Sequence, residues 1–228
     1  MPMKTLKFLR LPVLLGLFFV MISAKPADDD SKQTERIHNA SNVLKEFAKM
    51  KESIPHQLLE QYEGIVIIPK MINAGFGIGG KRGKGVAMVK LGNGKWSDPV
   101  FITLTGGSFG LQIGVQSVDL VLVFRDKGVL TKVKNGDFTI GGDISAAAGP
   151  VGRSSTASTD YKLQAEVYSY SRSKGLFAGI SINGSNLGID KDSNAAYYGA
   201  KATSQDIFAQ ATSTTEAVKT LKETLASF

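Results

Sequence analysis

The glycines of this chain are confined to its centre. Twenty-four of the 25 glycines lie between Gly64 and Gly199, and the remaining one is Gly16. Glycine destabilises helix interiors and adopts backbone conformations that other residues avoid. The centre is therefore unsuited to long helices and favours strands with tight turns, bulges and close backbone approaches. It is flanked by two glycine-free segments.

The centre contains several short apolar runs rich in β-branched residues, each bounded by turn residues. They cover residues 64–69, 85–91, 100–104, 120–124, 138–140, 165–170 and 176–182. Such close spacing favours antiparallel pairing over βαβ units. Glycines within or between the runs, such as Gly110, Gly114 and Gly179, predict bulges and bends. We expect a strongly curved, barrel-like antiparallel sheet over residues 64–200.

The flanking segments have helical patterns, which makes the expected fold class α+β. In the N-terminal segment, residues 31–63, apolar side chains recur at helical spacing: Ile37, Ala40, Leu44, Phe47 and Ala48. A second short helix is expected to start at Pro55 and to stop at Gly64. Helices are also predicted over residues 204–226, where Ser213 and Glu216 form a capping-box pattern. Residues 25–228 are expected to form one domain.

The N-terminus has the pattern of a secretory signal peptide, residues 1–24. Three cations precede an apolar run, residues 11–22, which ends in the small residues Ser23 and Ala24. The run is short for a permanent membrane span, and an uncleaved anchor is the alternative. We expect an exported protein, periplasmic or secreted and peripheral to a membrane. Without the segment, 24 basic and 20 acidic residues leave a net charge of +4.

Catalytic side chains are scarce. The chain has no cysteine, and its two histidines, His38 and His56, lie in the N-terminal segment. Thiolate nucleophiles, cysteine zinc sites and serine–histidine–aspartate triads are thereby disfavoured. We predict no catalytic residue, no metal site and no cofactor. A carboxylate pair remains the enzymatic alternative, drawn from five acidic residues: Asp98, Asp119, Asp126, Asp143 and Glu166.

Two motifs imitate ligand sites. Residues 75–80 fit the spacing G-x-G-x-x-G, but a strand pattern follows where a dinucleotide site needs a helix. A P-loop is excluded because Arg82 stands where serine or threonine is required. Residues 190–194 resemble the start of a calcium loop, but Ala195 replaces its glycine and Lys201 its bidentate glutamate. A glycine-rich bulge or hairpin and a surface turn are expected instead.

Basic side chains form local clusters in the centre. They are Lys81, Arg82 and Lys84, then Arg153, then Arg172 and Lys174. A cation near an anionic membrane contributes about 1 kcal/mol, so several acting together predict salt-sensitive attachment. Nucleic acid is disfavoured, because the charge is modest and no RNA-binding motif is present.

Six segments, taken in order, resemble the SYLF domain family over roughly residues 44–208. They are residues 75–80, 94–99, 110–116, 146–153, 168–179 and 194–199, which read GFGIGG, GKWSDP, GLQIGVQ, AAAGPVGR, YSYSRSKGLFAG and NAAYYG. The resemblance implies binding of phosphoinositides or other anionic lipids and, in some eukaryotic members, of actin. It does not imply an enzyme activity.

The resemblance also implies a role for the N-terminal helix, which helps some eukaryotic members engage membranes. The matching helix, around residues 37–51, carries Lys45, Lys49 and Lys51 on its polar face. The export signal separates this chain from actin and phosphoinositides, so the expected partner is an anionic phospholipid. A structural or protein-interaction module of the cell envelope is the alternative.

Overall fold

A computed structural model describes residues 29–50, 53–131, 138–149, 165–178 and 180–228. The predicted signal segment, Lys51, Arg153 and Gly179 lie outside the described residues. Within these ranges the chain forms six helices and seven strands. In chain order they are α1 (Asp29–Lys49), α2 (His56–Gln61), β1 (Gly64–Val89), β2 (Val100–Phe124), α3 (Gly128–Thr131), β3 (Phe138–Ile140), β4 (Ala146–Ala148), β5 (Val167–Ser173), β6 (Leu176–Phe177), β7 (Ser185–Ile189), α4 (Lys191–Tyr198), α5 (Ser204–Phe208) and α6 (Glu216–Ala226).

Two very long antiparallel strands, β1 and β2, organise the sheet. Their pairing runs from Ala87 opposite Val100 to Gly64 opposite Phe124. The prediction of four short strands here is wrong, because the glycine-rich stretches are irregularities inside two continuous strands. Register shifts occur between Ile68 and Met71 and between Phe76 and Gly77. Each shift lets the ribbon bend without ending it.

The remaining strands extend the two halves of β2. One half pairs with β7, which pairs with β3, and the other half pairs with β5. The sheet is strongly curved and nearly closed, as predicted. It is mixed rather than wholly antiparallel, because β4 lies parallel to β5.

The two ends of β1 approach each other closely. A β-carbon added at Gly85 would lie 2.0 Å from the carbonyl oxygen of Ile67, and one added at Gly83 would lie 2.4 Å from Cγ2 of Ile68. Beyond these contacts, the Lys90 amide donates to the Glu63 carbonyl (2.8 Å). Glycine therefore permits the close approach of the two strand ends that nearly closes the sheet.

Both faces of the sheet are buried near its ends. Along β1, Ile65 and Ile67 face one hydrophobic core, while Val66 and Ile68 face a second. The first core lies under helices α1, α2 and α6, and the second lies inside the curve of the sheet. This explains why the strands read as continuous apolar runs rather than as an alternating pattern.

The terminal helices close the first core. The predicted apolar face of α1 is confirmed at Ile37, Ala40, Leu44 and Phe47, whereas Ala48 is exposed. Helix α6 contributes a second set of buried side chains to this core: Ala217, Val218, Leu221 and Leu225.

The predicted capping box lies on a different helix. Helix α6 begins at Glu216, and its N-cap Thr215 makes no side-chain capping hydrogen bond. The box instead joins Thr203 and Asp206 at the start of α5.

Candidate functional site

The middle of the β1–β2 pair forms a two-stranded ribbon that none of the described helices covers. We define the ribbon as residues 72–82 of β1 with residues 105–117 of β2, which are paired from end to end. Strand alternation places Ile72 and Ile78 on its outer face, together with Val115, which is paired with Ala74. These side chains are 44%, 74% and 72% exposed. Unlike either end of β1, the ribbon thus presents apolar side chains to solvent.

A fourth exposed apolar side chain lies beside this end of the ribbon but on the opposite face. Leu176 is 73% exposed and is paired with Ser173 in the β5–β6 hairpin. Ser173 alternates with Arg172, which lies on the outer face over Phe47, so Ser173 and Leu176 are directed to the other face. The Ser173 hydroxyl donates to the carbonyl of Ser117 (3.2 Å), directly across from Ile72, which places the hairpin beside the ribbon. We call Ile72, Ile78 and Val115 the apolar stripe.

Exposed cations flank the apolar stripe at both ends. Lys70, in the β1 bulge, and Lys174, in the β5–β6 turn, lie near Ile72, and Arg82 follows Ile78 on the outer face. Strand β1 contains four cations and no acidic residue, and residues 100–118 of β2 contain no charged residue. The ribbon surface is therefore apolar in the middle and positive at its margins.

Lys81 does not belong to this surface. Alternation along β1 directs it to the inner face, where it is 7% exposed and its ammonium donates to the carbonyl of Ser181. Removal from water lowers the pKa of Lys81. It is therefore inaccessible to a headgroup in this fold, although its neighbour Arg82 is exposed.

Lys84 and Arg172 are held in internal ion pairs. The Lys84 ammonium lies 3.1 Å from Oδ2 of Asp190, the same oxygen that the Arg36 guanidinium of α1 reaches at 3.0 Å. Arg172 lies 2.7 Å from Oδ2 of Asp119 and stacks over the ring of Phe47 at 6.0 Å. These cations connect α1 to the sheet. Arg172 is largely buried, Lys84 keeps half of its side chain exposed, and Arg82 and Lys174 are exposed without an ion-pair partner among the described residues.

The lysines of α1 lie on its exposed side. Lys45 is exposed, and Lys49 is exposed and bonded to Glu46 at 2.8 Å. The apolar face of the same helix is buried in the first core. While α1 stays docked, its apolar side chains are unavailable to a bilayer and only its lysines can approach one.

The five candidate acidic residues make separate local contacts. Asp98 pairs with Lys222 and Asp119 with Arg172. The others accept backbone hydrogen bonds: Asp126 from Gly128 at 2.6 Å, Asp143 from Thr139 at 2.7 Å and Glu166 from Ser145 at 2.9 Å. These side chains therefore form ion pairs or stabilise turns, and their contacts do not include a facing carboxylate pair.

Residues 190–194, expected to form a surface turn, are instead the start of α4. Asp190 accepts a hydrogen bond from the Ser193 amide (3.3 Å). Asn194 is buried and exchanges hydrogen bonds with both the amide (2.9 Å) and the carbonyl (2.8 Å) of Phe101. Across the described ranges, no three potential metal ligands come together. In those same ranges no helix is both long and apolar enough to cross a membrane.

A groove of about 550 Å³ lies between α2 and α6, away from the ribbon. Its apolar lining includes Leu59, Trp96, Leu225 and Phe228. The Lys90 ammonium sits 5.5 Å from the centre of the Trp96 ring, and removal from water lowers the pKa of Lys90. The groove offers a second surface with mixed apolar and basic character.

Asp190 makes the stability of the fold depend on pH. Burial by itself raises the pKa of Asp190, but hydrogen bonds from Ser193, Lys84 and Arg36 outweigh it and hold the pKa below its usual value. A carboxyl with a lowered folded-state pKa stabilises the fold above its unfolded pKa, about 3.9, and this stabilisation is lost as the pH falls through the folded value. We expect Asp190→Asn to flatten the acid limb of the stability curve. Urea unfolding between pH 2 and pH 6 measures this, and an unchanged acid limb would contradict the assignment.

Comparison with known proteins identifies relatives of this architecture. Residues 105–228 match the profile of the family described as "Ysc84: Las17-binding protein actin regulator". SH3 domain-containing YSC84-like protein 1 of Xenopus laevis is 34% identical over 167 residues, which are 70% of this chain and 50% of that protein. Its Homo sapiens counterpart is 33% identical over 196 residues, 83% of this chain and 57% of that protein.

A fungal relative gives a similar result. Protein YSC84 of Saccharomyces cerevisiae is 35% identical over 177 residues, 74% of this chain and 38% of that protein. The chain thus spans between 38% and 57% of the length of these three relatives. On these matches the chain belongs to the Ysc84 family, the family of SYLF domains.

Proposed function

We propose that this protein binds the surface of anionic phospholipid membranes and that the ribbon is the binding surface. The observation that carries the proposal is the apolar stripe with exposed cations at its margins: Lys70 and Lys174 at one end, Arg82 at the other. Apolar side chains bordered by lysine and arginine suit the membrane interface, where acyl chains begin beneath negative headgroups.

The internal ion pairs refine which cations act. Lys81, Lys84 and Arg172 have partners inside the fold, so the headgroups are assigned to Lys70, Arg82 and Lys174. Lys70 and Arg82 each adjoin a residue of the contact at which β1 closes on itself, where a β-carbon at Gly83 would lie 3.1 Å from Cγ of Met71. Because consecutive Cα atoms are about 3.8 Å apart, the two cations lie within about 15 Å of each other at the base of the ribbon. The proposal is for attachment to an acidic surface.

The decisive experiment reverses the three charges together. With Lys70, Arg82 and Lys174 changed to Glu, affinity for vesicles of phosphatidylglycerol and phosphatidylcholine is expected to fall at least about tenfold, because each cation contributes about 1 kcal/mol near such a surface. Wild-type binding should weaken as salt is raised, since screening shortens the reach of exposed charges. Co-sedimentation over a series of salt concentrations measures both effects.

A matched control separates location from net charge. Lys95, Lys201 and Lys219 are exposed, in the β1–β2 connection, beside α4 and on α6, away from the ribbon. Changing these three to Glu alters the net charge by the same amount and should leave vesicle affinity within about twofold, because charges beyond a Debye length are screened. Equal losses in both triple variants would contradict a ribbon-centred surface.

A protein partner is the second candidate function. It is favoured by the groove between α2 and α6, whose apolar and basic lining suits a peptide, and by the family description, which names Las17 binding. A stoichiometric protein that co-purifies with the wild type, and is lost with Ala226→Glu at the exposed rim of the groove, would favour this function. Retention of the same protein by Ala226→Glu would remove the groove from consideration.

A further inference from the structure

Within the part of the chain that the structure describes, the outer face of the ribbon has no cover, unlike the rest of the sheet. At both ends of β1 the same face is buried under helices, through Ile65 and Ile67 at one end and Val86 and Met88 at the other. Between them, Ile78 and Val115 are more than 70% exposed. Large apolar side chains gathered on one face of a soluble domain mark a surface that is covered in use.

The opposite, inner face of the ribbon is rich in glycine. Gly75 pairs with Gly114 and Gly77 with Gly110. At the base of the ribbon this face closes on itself, where a β-carbon at Gly83 would lie 3.1 Å from Cγ of Met71. The outer face is therefore the convex one, and its apolar side chains can meet a surface without moving the helices behind the ribbon.

The charge of the ribbon identifies the surface. Its margins carry Lys70, Arg82 and Lys174, while the nearby carboxylates Asp119 and Asp190 are neutralised by internal partners. An apolar surface with positive margins complements a bilayer whose headgroups are negative.

We infer that the ribbon inserts the side chains of Ile78 and Val115 into the upper acyl region of the bilayer while Lys70, Arg82 and Lys174 remain at the headgroups. This inference rests on the proposed function and specifies its mode of attachment. Helix α1 stays docked on the sheet throughout, since its apolar face already forms part of the first core.

The hydrogen bonding of the ribbon limits its depth. In the described chain, residues 107–117 of β2 pair with no strand other than β1, so the outer edges of the ribbon carry backbone groups that no further strand covers. Unpaired N–H and C=O groups are not tolerated in the hydrocarbon core, because no water is there to satisfy them. Insertion is therefore shallow, about 5–10 Å, as for other interfacial elements.

The absence of cysteine from the sequence makes depth directly measurable. In the full chain, Ile78→Cys and Val115→Cys each receive an environment-sensitive fluorophore, and phosphatidylglycerol–phosphatidylcholine vesicles contain lipids brominated at successive acyl positions. Both probes should shift to the blue and be quenched most by bromines nearest the headgroup. Glu223→Cys, exposed on α6, is the matched control and should show neither change.

Removing the apolar groups tests their energetic role. Ile78→Ser with Val115→Ser should lower vesicle affinity roughly tenfold, as expected for withdrawing two partly buried aliphatic side chains. The dependence of binding on salt should be unchanged, because the cations are intact. Since both positions are exposed, the variants should fold as the wild type does, and circular dichroism checks this.

The outcomes separate the two proposals. Vesicle binding without quenching at either probe would overturn insertion and leave membrane binding standing. Failure of the wild type to bind anionic vesicles would overturn both. Probe shifts that appear without lipid and grow with protein concentration, accompanied by dimers in sedimentation, would overturn insertion and identify the stripe as an interface between copies.

Discussion

Replacing Gly85 with alanine is expected to lower the free energy of unfolding by about 3–5 kcal/mol or to prevent folding. The added methyl group would lie 2.0 Å from the carbonyl oxygen of Ile67 and 2.9 Å from Cα of Ile68. These are backbone atoms of the strand that nearly closes the sheet, so no side-chain rotation relieves the clash. The strand ends must separate, which opens both cores together. Equilibrium urea unfolding measures the loss.

Gly80→Ala is the matched control, because it lies on the same strand. The nearest atom to a β-carbon there is the Gly106 carbonyl oxygen at 3.8 Å, an ordinary contact. Alanine at such a site is neutral or stabilises by about 0.4–1 kcal/mol through the unfolded chain. Similar losses at Gly80 and Gly85 would show that β1 is sensitive to any substitution, and the close-approach explanation would be abandoned.

The second large effect is expected at Asp98, a carboxylate that is 3% exposed. It accepts hydrogen bonds from the amides of Thr212 (3.0 Å) and Ser213 (2.9 Å) and from the ammonium of Lys222 (2.6 Å). Asp98→Ala should cost about 3–5 kcal/mol, since removing one member of a buried pair strands the remaining donors. Hydrogen exchange should show lost protection in α6 before the strands lose it, because this clasp joins α6 to the β1–β2 connection.

A variant on the same helix distinguishes the clasp from the general stability of α6. Lys219→Ala removes an exposed lysine one turn before Lys222 and should change stability by less than about 0.5 kcal/mol. Combining Asp98→Asn with Lys222→Met measures the coupling between the pair, which should be at least about 1 kcal/mol. Additive losses in that cycle would mean that the backbone hydrogen bonds to Asp98, rather than the ion pair, carry its effect.

The helical spacing in α1 and the apolar runs of the strands were enough to predict the fold class and the curved sheet. The two long strands were not predictable from the same pattern, because glycine-rich stretches between apolar runs read as turns. Whether residues 75–80 turn or continue depends on cross-strand pairing with residues 27 to 39 positions away. Local propensity does not contain that information.

The site was predicted only in part, for a related reason. Lys81, Arg82 and Lys84 form one cluster in sequence, but alternation along β1 divides it between the inner and outer faces. Lys84 then meets a partner, Asp190, that is 106 residues away. Once β1 is known to be continuous, period-two alternation assigns each side chain to a face. The apolar stripe was missed because single apolar residues beside glycines, such as Ile78 and Val115, look like core residues in the sequence.

Two equally apolar faces leave β1 without the usual protection against slipping. In a strand with one polar face, a shift by a single position exposes the apolar side chains to water, and the free-energy cost of that exposure fixes the register. In residues 65–68 such a shift would exchange the side chains of one buried core for those of the other. Because both sets are apolar, polarity does little to separate the native register from a shifted one. The native register is distinguished from a shifted one by Gly83 and Gly85, which have no side chain and lie where the two ends of β1 approach each other. The register of β1 is thus set by the lack of side-chain volume at these two glycines. We therefore expect β1 to tolerate exchanges among its aliphatic residues far better than larger residues at Gly83 or Gly85.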